Sequence, residues 1–274
     1  FDVEAVLVST KNIEWSVYGN ITYVDGKVLR LPESYLKDDG TRWYAGSSYI
    51  LKEGGSLHQA YMPEYAGVDA ETGKALYYLD PADHSKGTTA TYSQDLAGDL
   101  GDISVKCYGG FGTSLNLYGV DLGVQFAYQF GGKAYDGTYQ EMMHAGDKLG
   151  HIWSVDILNA WTPENTETDV PRLCASDSYD QQTSSRWLVS SNYLSLNNVT
   201  VGYTLPTKWM KKIGLTKARV FFQGDNLALF SARQGFDPRQ SQNALSYGVG
   251  ISTSTGNFVY SMTRTFSGGI SISF

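Results

Sequence analysis

The stretch SNYLSLNNVTVGYTLPTKWMKKIGLTKARVFFQGDNLALF, residues 191–230, decides how the rest of the chain is read. In its first arm Val199, Val201, Tyr203 and Leu205 alternate with Asn198, Thr200, Gly202 and Thr204, the period of two that places apolar groups on one face of a strand. Pro206 ends that ladder because it has no N–H to donate, and Lys208, Lys211, Lys212 and Gly214 supply a polar, bendable connection. In the returning arm Ala218, Val220 and Phe222 share a face, opposed by Arg219, Gln223 and Asp225, with Phe221 alone breaking the polarity. The segment is predicted to be a β-hairpin with one apolar and one strongly polar face.

A sandwich would bury that apolar face, whereas a transmembrane barrel would turn it toward lipid and wet the other. Periodicity leaves both open. The wording of the segment, followed by GFDP at residues 235–238, resembles the C-terminal barrel of SusC/RagA-type TonB-dependent transporters. The resemblance extends to EGGSLHQAYMPEYAGVDAETGKALYY (residues 53–78), to GGKAYDG and DILNAWTPENTETDVPRL, and most specifically to WTPEN, residues 161–165.

The same alternation recurs elsewhere. Phe1, Val3, Ala5 and Leu7 alternate with Asp2 and Glu4; Ile13, Trp15, Val17, Gly19, Ile21 and Tyr23 alternate with polar residues after a short turn. Val120, Leu122, Val124, Phe126, Tyr128 and Phe130 alternate with Asp121, Gly123, Gln125, Ala127 and Gln129, and the last strand runs from Phe266 to Phe274. Extended runs at 51–65 and 75–79 are read as further strands, giving about nine, with short connections at 10–12, 67–74, 119 and 206–216. Long polar stretches at 25–49, 81–104, 131–187 and 231–262 fall between them. Long loops on one rim and short turns on the other are the habit of outer-membrane barrels.

The expected fold is therefore all-β: a transmembrane antiparallel barrel segment of about nine strands. The resemblance makes residues 1–274 the C-terminal portion of a barrel of about 22 strands. The plug and the TonB-contacting part would lie elsewhere in the receptor, and the four long stretches would be extracellular.

Composition agrees with a β-rich chain: of 274 residues 20 are Tyr and 30 Gly, while only 18% are charged. The net charge of −7 excludes the basic footprint that nucleic acid requires. No apolar run approaches the ~20 residues of a spanning helix, which leaves strand-spanning untouched. No nucleophile elbow, HExxH or phosphate-cradling loop is found, so no catalytic residue is assigned. His144 and His151, seven apart, do not match a zinc pattern, and no metal or cofactor is expected; a place on a loop surface is. Cys107 and Cys174 permit a disulfide without requiring one.

Asp2, Glu4, Asp121, Gln125 and Gln129 are the candidates for a wet lumen face. Trp153, Trp161, Tyr179, Trp187 and Tyr247, in the long loops, are the candidates for contact with substrate, since flat rings stack on sugars or peptides. Trp15 and Tyr23 suit the aromatic girdles at the two membrane interfaces. The resemblance implies an importer of oligosaccharide or peptide, partnered by a SusD-like lipoprotein lid, by TonB, by the remainder of the same barrel and by outer-membrane lipid. The rival readings are a soluble all-β carbohydrate-binding module, with the apolar faces in a core, and a passive surface barrel acting as an adhesin.

Overall fold

A computed structural model describes residues 1–241 and 262–274. Its main feature is a seven-stranded antiparallel sheet in which every strand pairs with its neighbour in sequence. The strands are β1 (Asp2–Ser9), β2 (Ile13–Tyr23), β3 (Cys107–Leu117), β4 (Val120–Phe130), β5 (Tyr193–Thr204), β6 (Lys217–Ser231) and β7 (Thr265–Ser273).

Register separates the two faces across the whole sheet. One row runs Val8, Trp15, Leu115, Leu122, Val201, Phe222, Gly268, one residue per strand and none charged. The row beside it runs Val6, Ser16, Ser114, Gly123, Thr200, Gln223, Ser267, polar or small on every strand but the first. The apolar face is open to its surroundings: Phe222 is 56% exposed and Ile270 68%. Three cross-strand pairs on it oppose Phe to Gly, Phe111 to Gly19, Phe222 to Gly268 and Phe266 to Gly224, which lets the Phe111–Phe126 and Phe222–Phe266 rings stack.

Bulges keep the faces in phase where the sequence slips. Leu194 and Leu196 fall on even positions but Val199, Val201 and Tyr203 on odd ones; between Gln125 and Phe126 of β4, strand β5 advances from Asn198 to Leu196 and so holds an extra residue, Asn197. The step widens again in β6, where Asp225 and Ala228 oppose Asn198 and Leu196, and Asn226 adopts a left-handed φ of 53°. A further bulge between Val6 and Val8 takes Leu7 out of the β1 alternation predicted from sequence.

Three short turns, after Ser9, Leu117 and Thr204, lie on one rim, and three long connections on the other. At the tightest turn Tyr118 and Gly119 both have positive φ (49° and 91°), which a glycine adopts without strain.

The strand count is corrected from about nine to seven in this sheet. Residues 24–106 form one excursion that never rejoins it. Trp43–Ala45, Tyr49–Lys52, Gln59–Pro63 and Ala97–Asp102 make a separate four-stranded sheet, and Tyr65–Val68, Ala75–Tyr78 and Thr88–Thr89 a three-stranded one. The 67–74 turn joins two strands of that small sheet rather than two of the main one. The physical reason is burial: Gln59–Pro63 is covered on both faces, with Ala60 and Met62 fully buried, so it cannot present one side outward as the main strands do.

The second excursion, residues 131–192, pairs Lys133–Tyr135 with Leu188–Ser190 and contains the helix Gly137–Met142, capped by Asp136 through the Tyr139 N–H. Both excursions share one core of Ala60, Met62, Ile103, Tyr135, Met143, Ile157, Ala160, Val170 and Trp187. They form a single platform on the long-loop rim.

Candidate functional site

The polar face and the platform above it are the two surfaces able to meet a ligand. On the polar face one register row crosses all seven strands as Glu4, Tyr18, Gly112, Gln125, Asn198, Asp225, Thr265. Two of the sequence-predicted lumen residues, Glu4 and Gln125, thus share a band with Asn198 and Asp225. The Asp225 carboxylate accepts from Asn198 Nδ2 at 2.7 Å and from Gln223 Nε2 at 3.1 Å, while Thr200 donates to Asn198 Oδ1 at 2.9 Å. Amides and a carboxylate held in fixed orientation offer both donors and acceptors to hydroxyl- or amide-rich molecules.

Two polar rows toward the short-turn rim, Asp121 is taken up by Arg219, whose Nε donates to it at 2.9 Å while a second guanidinium nitrogen completes a forked pair. The pair reaches over β5, and only a glycine permits it: at Gly202 a Cβ would come within 2.5 Å of both partners. Arg219 also lies 5.1 Å over the ring of Phe221, the residue that broke the polar alternation. Asp2 lies one row toward the long-loop rim, opposite Asn20. Gln129 is buried and donates to the Ser191 carbonyl at 3.0 Å, so it fastens the base of the second excursion and is withdrawn from the open lumen face. On the apolar face Trp15 and Tyr23 are exposed at opposite ends of β2, and the Trp15 indole donates to Thr113 Oγ1 at 2.8 Å.

The platform is joined by hydrogen bonds between segments far apart in sequence. Trp161, first residue of WTPEN, donates from its indole to the Ala70 carbonyl at 3.1 Å and packs on Gly73, so two of the motifs singled out in the sequence meet each other. Tyr65 donates to the Asp169 carbonyl at 2.8 Å, and its own N–H goes to Ser185 Oγ at 2.9 Å; Tyr92 donates to the Thr183 carbonyl at 3.0 Å. Beyond β6, Arg233 pairs with Asp136 and lies 3.8 Å over the Tyr139 ring, tying the third connection to the second excursion. In GFDP, Asp237 is held by Arg239 at 2.8 Å, and Ser231 Oγ donates to the Phe236 carbonyl at 2.6 Å.

Burial shapes the ionisation of these groups. It pushes the Tyr65 and Tyr139 hydroxyls up to about 12. At the foot of the first excursion burial raises Asp102, but hydrogen bonds from Lys106 and Ser104 outweigh it and hold the carboxyl well below the ordinary range.

The aromatic candidates separate. Trp187 is 0% exposed, its indole donating to the Gln182 carbonyl at 3.0 Å, and it edges against Tyr139; a ligand cannot reach it, and its proposed contact role is corrected to a core role. Trp161 is half-buried in the joint described above. Trp153 stays 51% exposed, anchored through its indole to the His144 carbonyl at 2.9 Å. Tyr179 falls in the turn Ser178–Gln181, and Tyr247 lies outside the described residues. His144, expected on a loop surface, is instead buried beside the Trp153 ring. Missed by the sequence reading is a run of exposed apolar residues around Trp153: Leu149 (93%), Ile152, Val155 and Leu158 (80%). Ser154 positions this run by capping Val155–Asn159, whose Ile157 is buried in the platform core. Among the described residues no group of three or more His, Cys, Asp or Glu is arranged to hold a metal, and Cys107 and Cys174 are free thiols.

An antiparallel wall that is apolar on one side, hydrogen-bonded and polar on the other, and carries long loops on one rim has the pattern of a segment of a β-barrel wall. The chain is 26% identical over its whole length to TonB-dependent receptor P3 of Formosa agariphila, and 25% identical over 70% of its length to TonB-dependent receptor P26 of the same organism. It superposes over its whole length on a chain of the RagAB peptide transporter with a TM-score of 0.82 and 26% identity. The RagAB peptide importer gives 0.79 in its open-open state and 0.80 in its closed-closed state. No protein-family model matches. In sequence and in fold the chain is thus similar to TonB-dependent receptors and to a chain of the RagAB transporter. It spans 28% and 19% of the length of those two receptors and 28% of the RagAB chain.

Proposed function

We propose that this chain is the C-terminal part of the barrel wall, together with the outer rim, of a TonB-dependent outer-membrane importer of peptide or glycan nutrients. The observation that carries the reading is the register itself: seven strands keep an uncharged face and a hydrogen-bonded polar face apart, with long loops confined to one rim.

In this reading the apolar face meets outer-membrane lipid, and β1 and β7 pair with the remainder of the same barrel, since an open sheet edge is not tolerated in a bilayer. The long-loop rim faces outward. The polar band of Glu4, Gln125, Asn198 and Asp225 lines the wet interior, with Asp2 above it and the Asp121–Arg219 pair below. Its amides and carboxylates suit an oligomer rich in hydroxyls or peptide groups. Leu149, Ile152, Trp153, Val155 and Leu158 give a SusD-like lipoprotein lid an apolar rest on the rim, because an exposed run of this kind marks a protein contact. TonB would act through parts of the receptor outside this chain.

Cells making the full-length receptor with its neighbouring lipoprotein, supplied with labelled peptide and oligosaccharide pools, test the proposal. Accumulation of one pool should require the receptor and stop when a protonophore collapses the proton-motive force. Uptake that survives the protonophore would reduce the protein to a passive barrel. For the lid contact, serine at Leu149, Ile152 and Val155 together should abolish co-purification with the lipoprotein, and unchanged co-purification would move the contact elsewhere.

A further inference from the structure

The seam between the two excursions contains a carboxylate that importing does not use. Asp180, at the end of the second excursion, is only 6% exposed, and its Oδ1 has no hydrogen-bond partner. The nearest cation does not neutralise it by direct contact. Arg186 Nη1 donates at 3.0 Å to the backbone carbonyl of Asp180, and its guanidinium lies 5.3 Å over the ring of Tyr65 and 4.5 Å over that of Trp187.

Around the carboxylate the two excursions are stitched together. Ser185 and Thr183 of the second excursion accept from Tyr65 and Tyr92 of the first, while within the second excursion Gln140 and Gln181 exchange amide-to-carbonyl hydrogen bonds of 2.6 and 3.1 Å that brace the segment beside Asp180. The titratable groups that act on Asp180 are Arg186, Asp177 and Asp147 of the second excursion, and it acts in turn on Tyr65 and Tyr77 of the first. Two of the three that act on it are negative.

We propose that Asp180 is a proton-operated latch for the loop platform. With the carboxyl neutral, the 180–187 segment stays seated on Tyr65 and Tyr77; with it ionised, an unpaired charge is held in the seam and the segment lifts.

Burial, with the charges of Asp177 and Asp147 adding to it and Arg186 opposing, pushes the Asp180 carboxyl up to about 7 in the seated state. Once lifted into water it returns to the ordinary value near 3.9. The seated state therefore binds the proton more tightly. Its extra stability is complete below the ordinary carboxylate value, declines as pH rises through neutrality, and is gone above the seated-state value. Lifting of the seam should grow about tenfold between pH 6 and pH 8 and then level off, as follows from a single proton linked to the opening.

Hydrogen exchange on the full-length receptor in detergent, corrected for the intrinsic pH dependence of exchange, reads this directly in peptides covering 60–79 and 180–192. The wild type should show the tenfold rise in opening in these peptides while β2–β5 stay unchanged. Asp180→Asn, neutral at every pH, should show no such rise and should be more protected at pH 8 than the wild type is at pH 6. Asp177→Asn, which removes a neighbouring negative charge, should keep the transition but move its midpoint to lower pH. A flat wild-type profile between pH 5.5 and 8.5 would overturn the latch, as would an Asp180→Asn protein whose seam opens with the same midpoint. None of these readouts involves uptake, so the latch and the importer assignment stand or fall separately.

Discussion

The wall and the platform solve opposite problems with one chain. In the wall the large apolar side chains of one face are exposed, and polar groups face one another across the strands on the other; in the platform Trp187, Met62 and Tyr77 are fully buried. A sheet without a core of its own stands only if something apolar covers its outer face, whereas the platform carries its own hydrophobic core. The difference teaches that the two regions answer to different solvents, and that a substitution tolerated in one should fail in the other.

The largest effect belongs to the platform. Trp187→Ala removes the centre of its core and should cost about 3–5 kcal/mol locally, loosening loops 24–106 and 131–192 to protease while the folded wall keeps its heat-modifiable migration in gel electrophoresis. Loss of both together would mean that the two regions form one cooperative unit and would break the comparison.

Next comes the wall itself. Val124→Arg, on the apolar face, should destabilise the receptor in bilayers by about 2–4 kcal/mol in denaturant titrations, whereas Gln125→Arg, one residue away on the polar face, should change little. Equal costs at the two positions would contradict the face assignment.

A smaller effect is expected at the joint between the excursions. Gly73 has a φ of 70°, and a Cβ there would come within 2.5 Å of Trp161 Cδ2. Gly73→Ala should cost about 1–3 kcal/mol through strain and a displaced ring, raising hydrogen exchange at 69–74 and 161–172 and leaving the wall untouched. Exchange that rises only at 69–74 would show that WTPEN is held by other contacts.

How much was legible in the sequence follows the same division. The wall could be read because each of its strands declares its faces locally: β4 alternates from Val120 to Phe130, and the turns at 10–12, 119 and 206–216 carry residues that end ladders. Even the bulge at Asn197 leaves a trace, since the apolar positions shift from even at Leu196 to odd at Val199. The platform could not be read in this way. Its strands at 59–63 and 75–78 look as extended as those of the wall, and only their partners, at 97–102 for the first and at 65–68 and 88–89 for the second, decide which sheet they join. Trp187 is the sharpest case. An aromatic residue with a polar edge suits a ligand or a core equally well, and its core place depends on Met62, Ile103 and Ile157 arriving from other segments. The polar candidates divide likewise. Glu4 and Gln125 were placed by alternation alone, whereas the pairing of Asp121 with Arg219 depended on a glycine in the strand between them.

The central claim is that the wall's apolar face meets lipid and its polar face meets water. Single cysteines at Val124 and Gln125, introduced into the full-length receptor after Cys107→Ser and Cys174→Ser, test it in intact outer membranes with a water-soluble thiol reagent. Gln125→Cys should react, and Val124→Cys should stay protected until detergent is added. Protection of both in a protein that purifies without detergent would contradict the claim, and would make the apolar face the core of a soluble sandwich.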